Sequence, residues 1–184
     1  MPRSICVFSS SSDEISDIFF KAAEELGKAI AEKNFTLVYG GGNNGLMGAL
    51  ALSVHKHKGK VIGVIPEYLK SKGYAYSPAD ELIVTKDLRE RKTFMEDRSD
   101  AFLTLPGGFG TLEELAEVLA LKQLKQHTKP IVILNINGFY DQLLLFFEEI
   151  YKGRFTSEKN RKLYHVATDI EGAFKYLEEN LRDG

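Results

Sequence analysis

Two adjacent carboxylates, Glu113 and Glu114, follow the glycine-rich run Pro106-Gly107-Gly108-Phe109-Gly110-Thr111. A carboxylate beside an anion-binding loop can act as a general base or stabilise a developing positive charge. Thr111 also stands three residues before Glu114, the spacing of a capping box, so spacing alone ranks Glu114 first as a helix cap. Upstream, Arg89, Arg91, Lys92 and Arg98 share one stretch with helical character, and Arg91 and Arg98, seven residues apart, share its face. A solvated face with Glu90, Glu96 and Asp97 as partners is the ordinary outcome for such a stretch. A cationic clamp on phosphate is the functional outcome, because a guanidinium offers bidentate donors.

A second glycine run, Gly40-Gly41-Gly42-Asn43-Asn44-Gly45-Leu46-Met47-Gly48, follows the apolar stretch Leu37-Val38-Tyr39. Glycines let backbone N–H groups approach an anion, and a helix N-terminus behind them adds partial positive charge. Neither run continues into the Gly-Lys-Ser/Thr of a Walker A loop, which argues against nucleoside-triphosphate hydrolysis. Gly40, Gly42 and Gly45 do satisfy G-x-G-x-x-G, and Glu67 lies 22 residues beyond Gly45, imitating a dinucleotide fingerprint with its ribose-binding acid. Against that reading, the run follows the second predicted strand and leaves the other glycine run without a role. The four histidines show no metal-ligand spacing. Ser9–Ser12 can offer hydroxyls to a ligand or form a polar turn, and Cys6 reads as a buried strand residue.

The elements that must carry these residues alternate along the chain. Short apolar runs predict strands over 5–8, 36–39, 61–65, 82–85, 101–105, 131–135 and 164–167. Helical spacing predicts helices over 13–33, 46–57, 88–98, 111–126, 140–151 and 170–181, the first with a capping box from Ser11 to Glu14. Residues 67–80 are irregular, a loop or short helix covering something. The pattern predicts a single α/β domain over 1–184: a Rossmann-like, doubly wound parallel sheet with helices on both faces. In such sheets ligands bind beyond the carboxyl ends of the strands, where both glycine runs fall.

Composition narrows the partners. The chain has 184 residues, with 24 Lys and Arg against 26 Asp and Glu, a net charge of −2. That balance offers no whole-chain reason to bind nucleic acid or an acidic membrane surface. Hydrophobic residues make up 43%, as in a globular rather than a disordered chain. With Cys6 the only cysteine, an internal disulfide and a multi-cysteine metal site are excluded. The first residues lack the long apolar stretch of a signal peptide and no run suits a membrane helix, so the expected compartment is cytoplasmic.

Arg91-Lys92 followed by Pro106-Gly107-Gly108-Phe109-Gly110-Thr111-Leu112-Glu113-Glu114 resembles the paired signature of the Lonely Guy family, fitting its P-G-G-x-G-T-x-x-E motif at every fixed position. Val38–Gly42, Gly45–Gly48, Val61–Pro66 and Lys129-Pro130 are similar to family segments in the same order. The resemblance implies a phosphoribohydrolase that cuts the N-glycosidic bond of cytokinin riboside 5′-monophosphates or AMP, working as a homodimer without metal or cofactor. It implies catalysis by Arg91 and Glu114, with Lys92 beside them. It places Gly107, Gly108, Phe109, Gly110 and Thr111 at the substrate, with the backbone of 108–111 on the 5′-phosphate. Gly40, Gly41, Gly42, Asn43, Gly45 and Met47 would border the nucleotide. On this resemblance catalysis outranks the cap for Glu114. Gly73, Leu121 and Ser9-Ser10 depart from the family pattern and leave the base preference open. A carrier of nucleotide or molybdenum cofactor on the same scaffold is the competing reading, and an NAD-dependent oxidoreductase the third. A pure carrier has no need of both Arg91 and Glu114. The lysine decarboxylase name often given to this family is rejected, since no lysine here lies in a recognisable pyridoxal phosphate setting.

Overall fold

The central strands are short and mostly apolar because helices cover both faces of their sheet. In β1 (Ser4–Phe8), Ile5 and Val7 enter one core while Cys6 and Phe8 enter the other. The same alternation recurs in β2 (Thr36–Tyr39), β5 (Ala101–Thr104) and β6 (Ile131–Leu134). This is a computed structural model that describes residues 3–181. With β3 (Lys60–Pro66), β4 (Glu81–Thr85) and β7 (His165–Ala167), the strands form one parallel sheet in the order β4-β3-β2-β1-β5-β6-β7. The chain runs outward from β1 to β4, returns to β5 beside β1, and runs outward again. The β1–β5 gap is therefore the switch point where such sheets hold ligands.

One face of the sheet is covered by α1 (Asp17–Glu32), α2 (Gly45–Lys56) and α7 (Ile170–Leu181), through Leu26, Ile30, Leu50, Val54, Phe174 and Leu177. The other face is covered by α4 (Leu88–Asp97), α5 (Phe109–Gln123) and α6 (Asp141–Lys152), where Met95, Leu115 and Val118 meet Cys6, Phe102 and Ile133. The four-residue α3 (Glu67–Lys70) opens the irregular segment and buries nothing. The Rossmann-like α/β class is thus as expected from the alternating pattern.

Two helix starts differ from expectation, and both bear on the site. The first helix begins at Asp17 rather than at 13, and Ser11 and Glu14 form no capping box. Residues 13–16 stay non-helical because Asp13 is committed elsewhere: its carboxylate accepts the Gly45 N–H at 2.8 Å and lies 3.3 Å from Asn44 Nδ2. The second difference is at α5, which begins at Phe109 with Gly108 as the residue before it, so Thr111 lies inside the helix and caps nothing. Its first i→i−4 bond is donated by Leu112 to Gly108. Glu114 is therefore free of the capping role that its spacing suggested.

Candidate active site

The two glycine loops open on one cavity of about 670 Å³ at the carboxyl ends of β1, β2 and β5. They do not do the same work. At the start of α2, the N–H of Gly45 is taken by Asp13 and that of Met47 by the carbonyl of Ser10 at 3.3 Å. A carboxylate from the chain itself occupies the place an anion would take. At the start of α5 no side chain among the described residues caps the helix, and the first helical bond begins only at Leu112. The N–H groups of Phe109, Gly110 and Thr111 have no intrahelical acceptor and lie at the cavity. A Cβ built on Gly108 or Gly110 would meet nothing within 4 Å, so the space above this backbone is open. The anion-seeking end of the cavity is the α5 N-terminus.

Arg91 and Glu114 meet in the same cavity. Arg91 Nη1 stands 3.0 Å from Glu114 Oε1, and both side chains are largely buried, at 13% and 9% exposure. Arg91 Nε donates to the carbonyl of Val64 at 3.1 Å, which fixes the plane of the guanidinium from β3. The third nitrogen lies over Gly40: a Cβ there would come within 1.9 Å of Arg91 Nη2. Gly40 is thus a glycine because the guanidinium needs its space. Burial pushes the Glu114 carboxyl above the ordinary carboxylate range, Arg91 opposes that rise, and neighbouring Glu113 adds to it. A carboxylate so placed is nearer the pH at which a base accepts protons efficiently than an exposed one.

Other nominated residues fall into two groups. Gly42, Asn43 and Met47 line the cavity with Gly40, and Gly108, Phe109, Gly110 and Thr111 line it opposite. Gly41, Gly45, Gly107 and Lys92 are outside that lining. Gly41 and Gly45 take positive φ, 72° and 58°, and Gly45 passes so close to the β1–α1 loop that a Cβ would sit 2.7 Å from the Ser10 carbonyl. Gly107 makes room for Thr111, whose Oγ1 would lie 2.1 Å from a Cβ on it. Lys92 bonds Glu113 and Glu117, the latter at 2.7 Å; burial works against its charge but the two carboxylates prevail and raise its pKa. It braces α4 against α5. Arg98, expected on the face of Arg91, pairs instead with Glu81.

Four further residues line the cavity: Asn44 of the first glycine run, Ile65 of the Val61–Pro66 segment, and Leu69 and Tyr74, which belong to no motif. Only the irregularity of 67–80 pointed to Leu69 and Tyr74. Ser9 also lines the cavity, and its Oγ is buried without a hydrogen-bond partner among the described residues. A buried hydroxyl left so is costly until something bonds it. The dinucleotide imitation fails on the same geometry. Glu67 is exposed on α3, 3.6 Å from Lys70, and is not part of the cavity.

Fold and site together define a Rossmann-like α/β protein with an anion-seeking helix start facing an arginine–carboxylate pair. A family model described as "Possible lysine decarboxylase" matches residues 47–177. A probable cytokinin riboside 5′-monophosphate phosphoribohydrolase of Oryza sativa subsp. japonica is 43% identical over 96% of this chain and 78% of its own. A cytokinin riboside 5′-monophosphate phosphoribohydrolase of Arabidopsis thaliana is 40% identical over 96% of this chain and 83% of its own. The chain belongs to the family of these phosphoribohydrolases, which the "possible lysine decarboxylase" description also covers. Among solved structures, the molybdenum cofactor carrier protein of Chlamydomonas reinhardtii matches with a TM-score of 0.76, at 26% identity over the whole of both chains. No lysine lines the cavity. No helix of the described residues is long and apolar enough to cross a membrane.

Proposed function

We propose that this protein hydrolyses the N-glycosidic bond of a nucleoside 5′-monophosphate, releasing free base and ribose 5-phosphate. The observation that carries this reading is the buried Arg91–Glu114 pair in one cavity with the uncapped start of α5. The relatives named for this activity support it. The free N–H groups of residues 109–111 bind the 5′-phosphate, and the helix start favours its charge. Phosphate binding, remote from the bond that breaks, supplies orientation. As the C–N bond lengthens, its electron pair leaves with the base and the sugar gains oxocarbenium character. Glu114 stabilises that charge and takes a proton from the water that attacks the anomeric carbon. The departing base nitrogen takes up a proton, so water is divided between the two products. Arg91 holds Glu114 in place and carries positive charge toward the nucleotide. The orphaned hydroxyl of Ser9 is a ready partner for substrate.

The test is release of free base from AMP and from isopentenyladenosine monophosphate by the purified protein, read by chromatography. Release from either supports the hydrolase, and the ratio of rates ranks the two bases. Tight nucleotide binding without release would support the second reading, a carrier, which the likeness to the molybdenum cofactor carrier favours. The working unit in this proposal is a cytoplasmic homodimer. Its support is the exposure of large apolar side chains, Phe109 at 93% on the cavity rim and Leu145 and Phe146 on α6. A 20.6 kDa particle in light scattering at assay concentration would remove the dimer.

Gly40→Ala tests the packing of the guanidinium. The methyl group would displace Arg91 Nη2, the far end of a long side chain, rather than meet backbone. The expected result is a loss of about 10- to 100-fold in kcat/KM, the scale on which small misplacements of reacting groups act. The melting temperature is expected within a few degrees of wild type, read by scanning calorimetry.

A further inference from the structure

The segment that joins α3 to β4 is tied back to α3 by backbone bonds from residues 71–74 and reaches the core only through Tyr76 and Ala79. α3 buries no side chain, residues 71–74 are exposed, and Gly73 turns through a φ of 82°. Its tip is stitched to the first glycine loop. Ala75 forms an antiparallel bridge with Gly42, Asn43 N–H donates to the Tyr74 carbonyl at 2.9 Å, and Tyr76 N–H donates to the Gly41 carbonyl at 2.9 Å. The Asn43 side-chain amide adds a bond to the Gly73 carbonyl at 3.2 Å. Tyr74 and Asn43 both line the cavity, so they form a single wall whose position depends on this segment.

The root of the segment is held by a chain of three side chains. Tyr76 Oη lies 2.9 Å from His55 Nδ1, and His55 Nε2 lies 3.0 Å from Asp80 Oδ2. The same Asp80 oxygen accepts the Val61 N–H at 2.8 Å. A carboxylate only accepts, so Nε2 carries the ring proton toward Asp80; in the neutral ring Nδ1 then accepts from the Tyr76 hydroxyl. Burial alone would raise the Asp80 pKa, but the bonds from His55 and Val61 outweigh it and hold the carboxyl below its ordinary value. The rings of His55 and Tyr76 lie 5.6 Å apart, tilted by 31°. The chain ties the segment to the last turn of α2 and the first residues of β3. Those two elements reach the cavity at their other ends, through Met47 of α2 and through Ile65 and the Val64 carbonyl of β3, which holds Arg91.

We propose that His55, Tyr76 and Asp80 are positioning residues: they clasp residues 71–80 so that Tyr74 and Asn43 stand as a fixed wall against the base of the nucleotide. The proposal rests on the hydrolase reading above. None of the three lines the cavity, so each acts through the wall and not on the substrate. A tyrosine ring beside a base offers a stacking surface, and stacking is lost when the ring is free to move. A wall that touches the base alike before and during bond cleavage contributes uniform binding. Losing it raises KM and spares kcat.

The experiment is steady-state kinetics on AMP with wild type, Tyr76→Phe, His55→Ala and the double variant, with amide hydrogen exchange at Asn43 and Tyr76. Each single variant is expected to raise KM about five- to tenfold with kcat within about twofold, the scale of one hydrogen bond. The double variant is expected to match His55→Ala, because members of one chain are not additive. Exchange at the two amides is expected to quicken in the variants, with global melting held near wild type. Unchanged KM, kcat falling in step with stability, or additive effects would overturn the clasp. Should wild type release no base, the hydrolase reading falls and exchange alone decides the clasp: faster exchange in Tyr76→Phe supports it and unchanged exchange overturns it.

Discussion

Glu114→Gln is expected to lower kcat/KM for AMP by about a thousandfold, within the range a positioned acid–base group contributes. The substitution keeps the shape of the side chain and one oxygen for Arg91 Nη1, so the ion pair becomes a charge-assisted hydrogen bond and the cavity keeps its walls. What is lost is the negative charge and the ability to take a proton. The pH profile sharpens the prediction. A base works ionised, so activity falls as pH falls through its pKa. Burial, which outweighs Arg91, sets that pKa above the ordinary carboxylate value, and the acid limb of kcat/KM is expected at correspondingly higher pH. In Glu114→Gln the residual activity is expected to lose that limb. A variant with undiminished base release would remove Glu114 from the chemistry.

Arg91→Ala carries an effect of similar size by a different route. It deletes the charge beside Glu114, the bond to the Val64 carbonyl and the group that fills the space above Gly40. A loss of about a thousandfold or more in kcat/KM is expected, since positioning and electrostatic stabilisation fall together. Arg91 is also what restrains the upward shift of Glu114. Without it the acid limb of any remaining activity is expected to move to still higher pH, a signature that plain loss of fold does not produce. Removing one partner of a buried pair costs about 3–5 kcal/mol, so melting must be measured alongside. Arg91→Lys serves as the second variant. It keeps a charge near Glu114 but loses the planar fork that spans Val64, Glu114 and Gly40, and is expected to recover only part of the rate. Full activity in Arg91→Lys would show that the fork is dispensable.

Much of this architecture was legible in the sequence because it rests on local patterns. Continuous apolar runs such as Ile5–Phe8 and Ile131–Leu134 mark strands buried on both faces, and their alternation with helices implies a parallel sheet. The two glycine runs mark strand-to-helix turns at the ligand end of such a sheet. The signature carrying Arg91 and Glu114 was also readable, and the cavity contains both. Where local reading misled, it counted spacing and overlooked a distant competitor. The Thr111–Glu114 and Ser11–Glu14 spacings both fit a capping box. Neither forms one, because α5 starts two residues earlier and Asp13 is drawn across to α2.

The sequence by itself determined which residue types reach the ends of the strands, since that follows from hydrophobic period and turn chemistry over a few neighbours. Only the tertiary structure decided which of them work together. The sheet order sets β5 beside β1, and α4 and α5 on one face, so Arg91 meets Glu114 although 23 residues separate them. Lys92, the neighbour of Arg91, points about 100° around the same helix and meets Glu113 and Glu117 instead. The two glycine loops, alike in sequence, differ because one carboxylate from a loop 32 residues away caps the helix start at Gly45, whereas no side chain among the described residues caps the start at Phe109. Charges and hydrogen bonds act over a few ångströms of space, and the order of strands in the sheet sets which residues come within that reach.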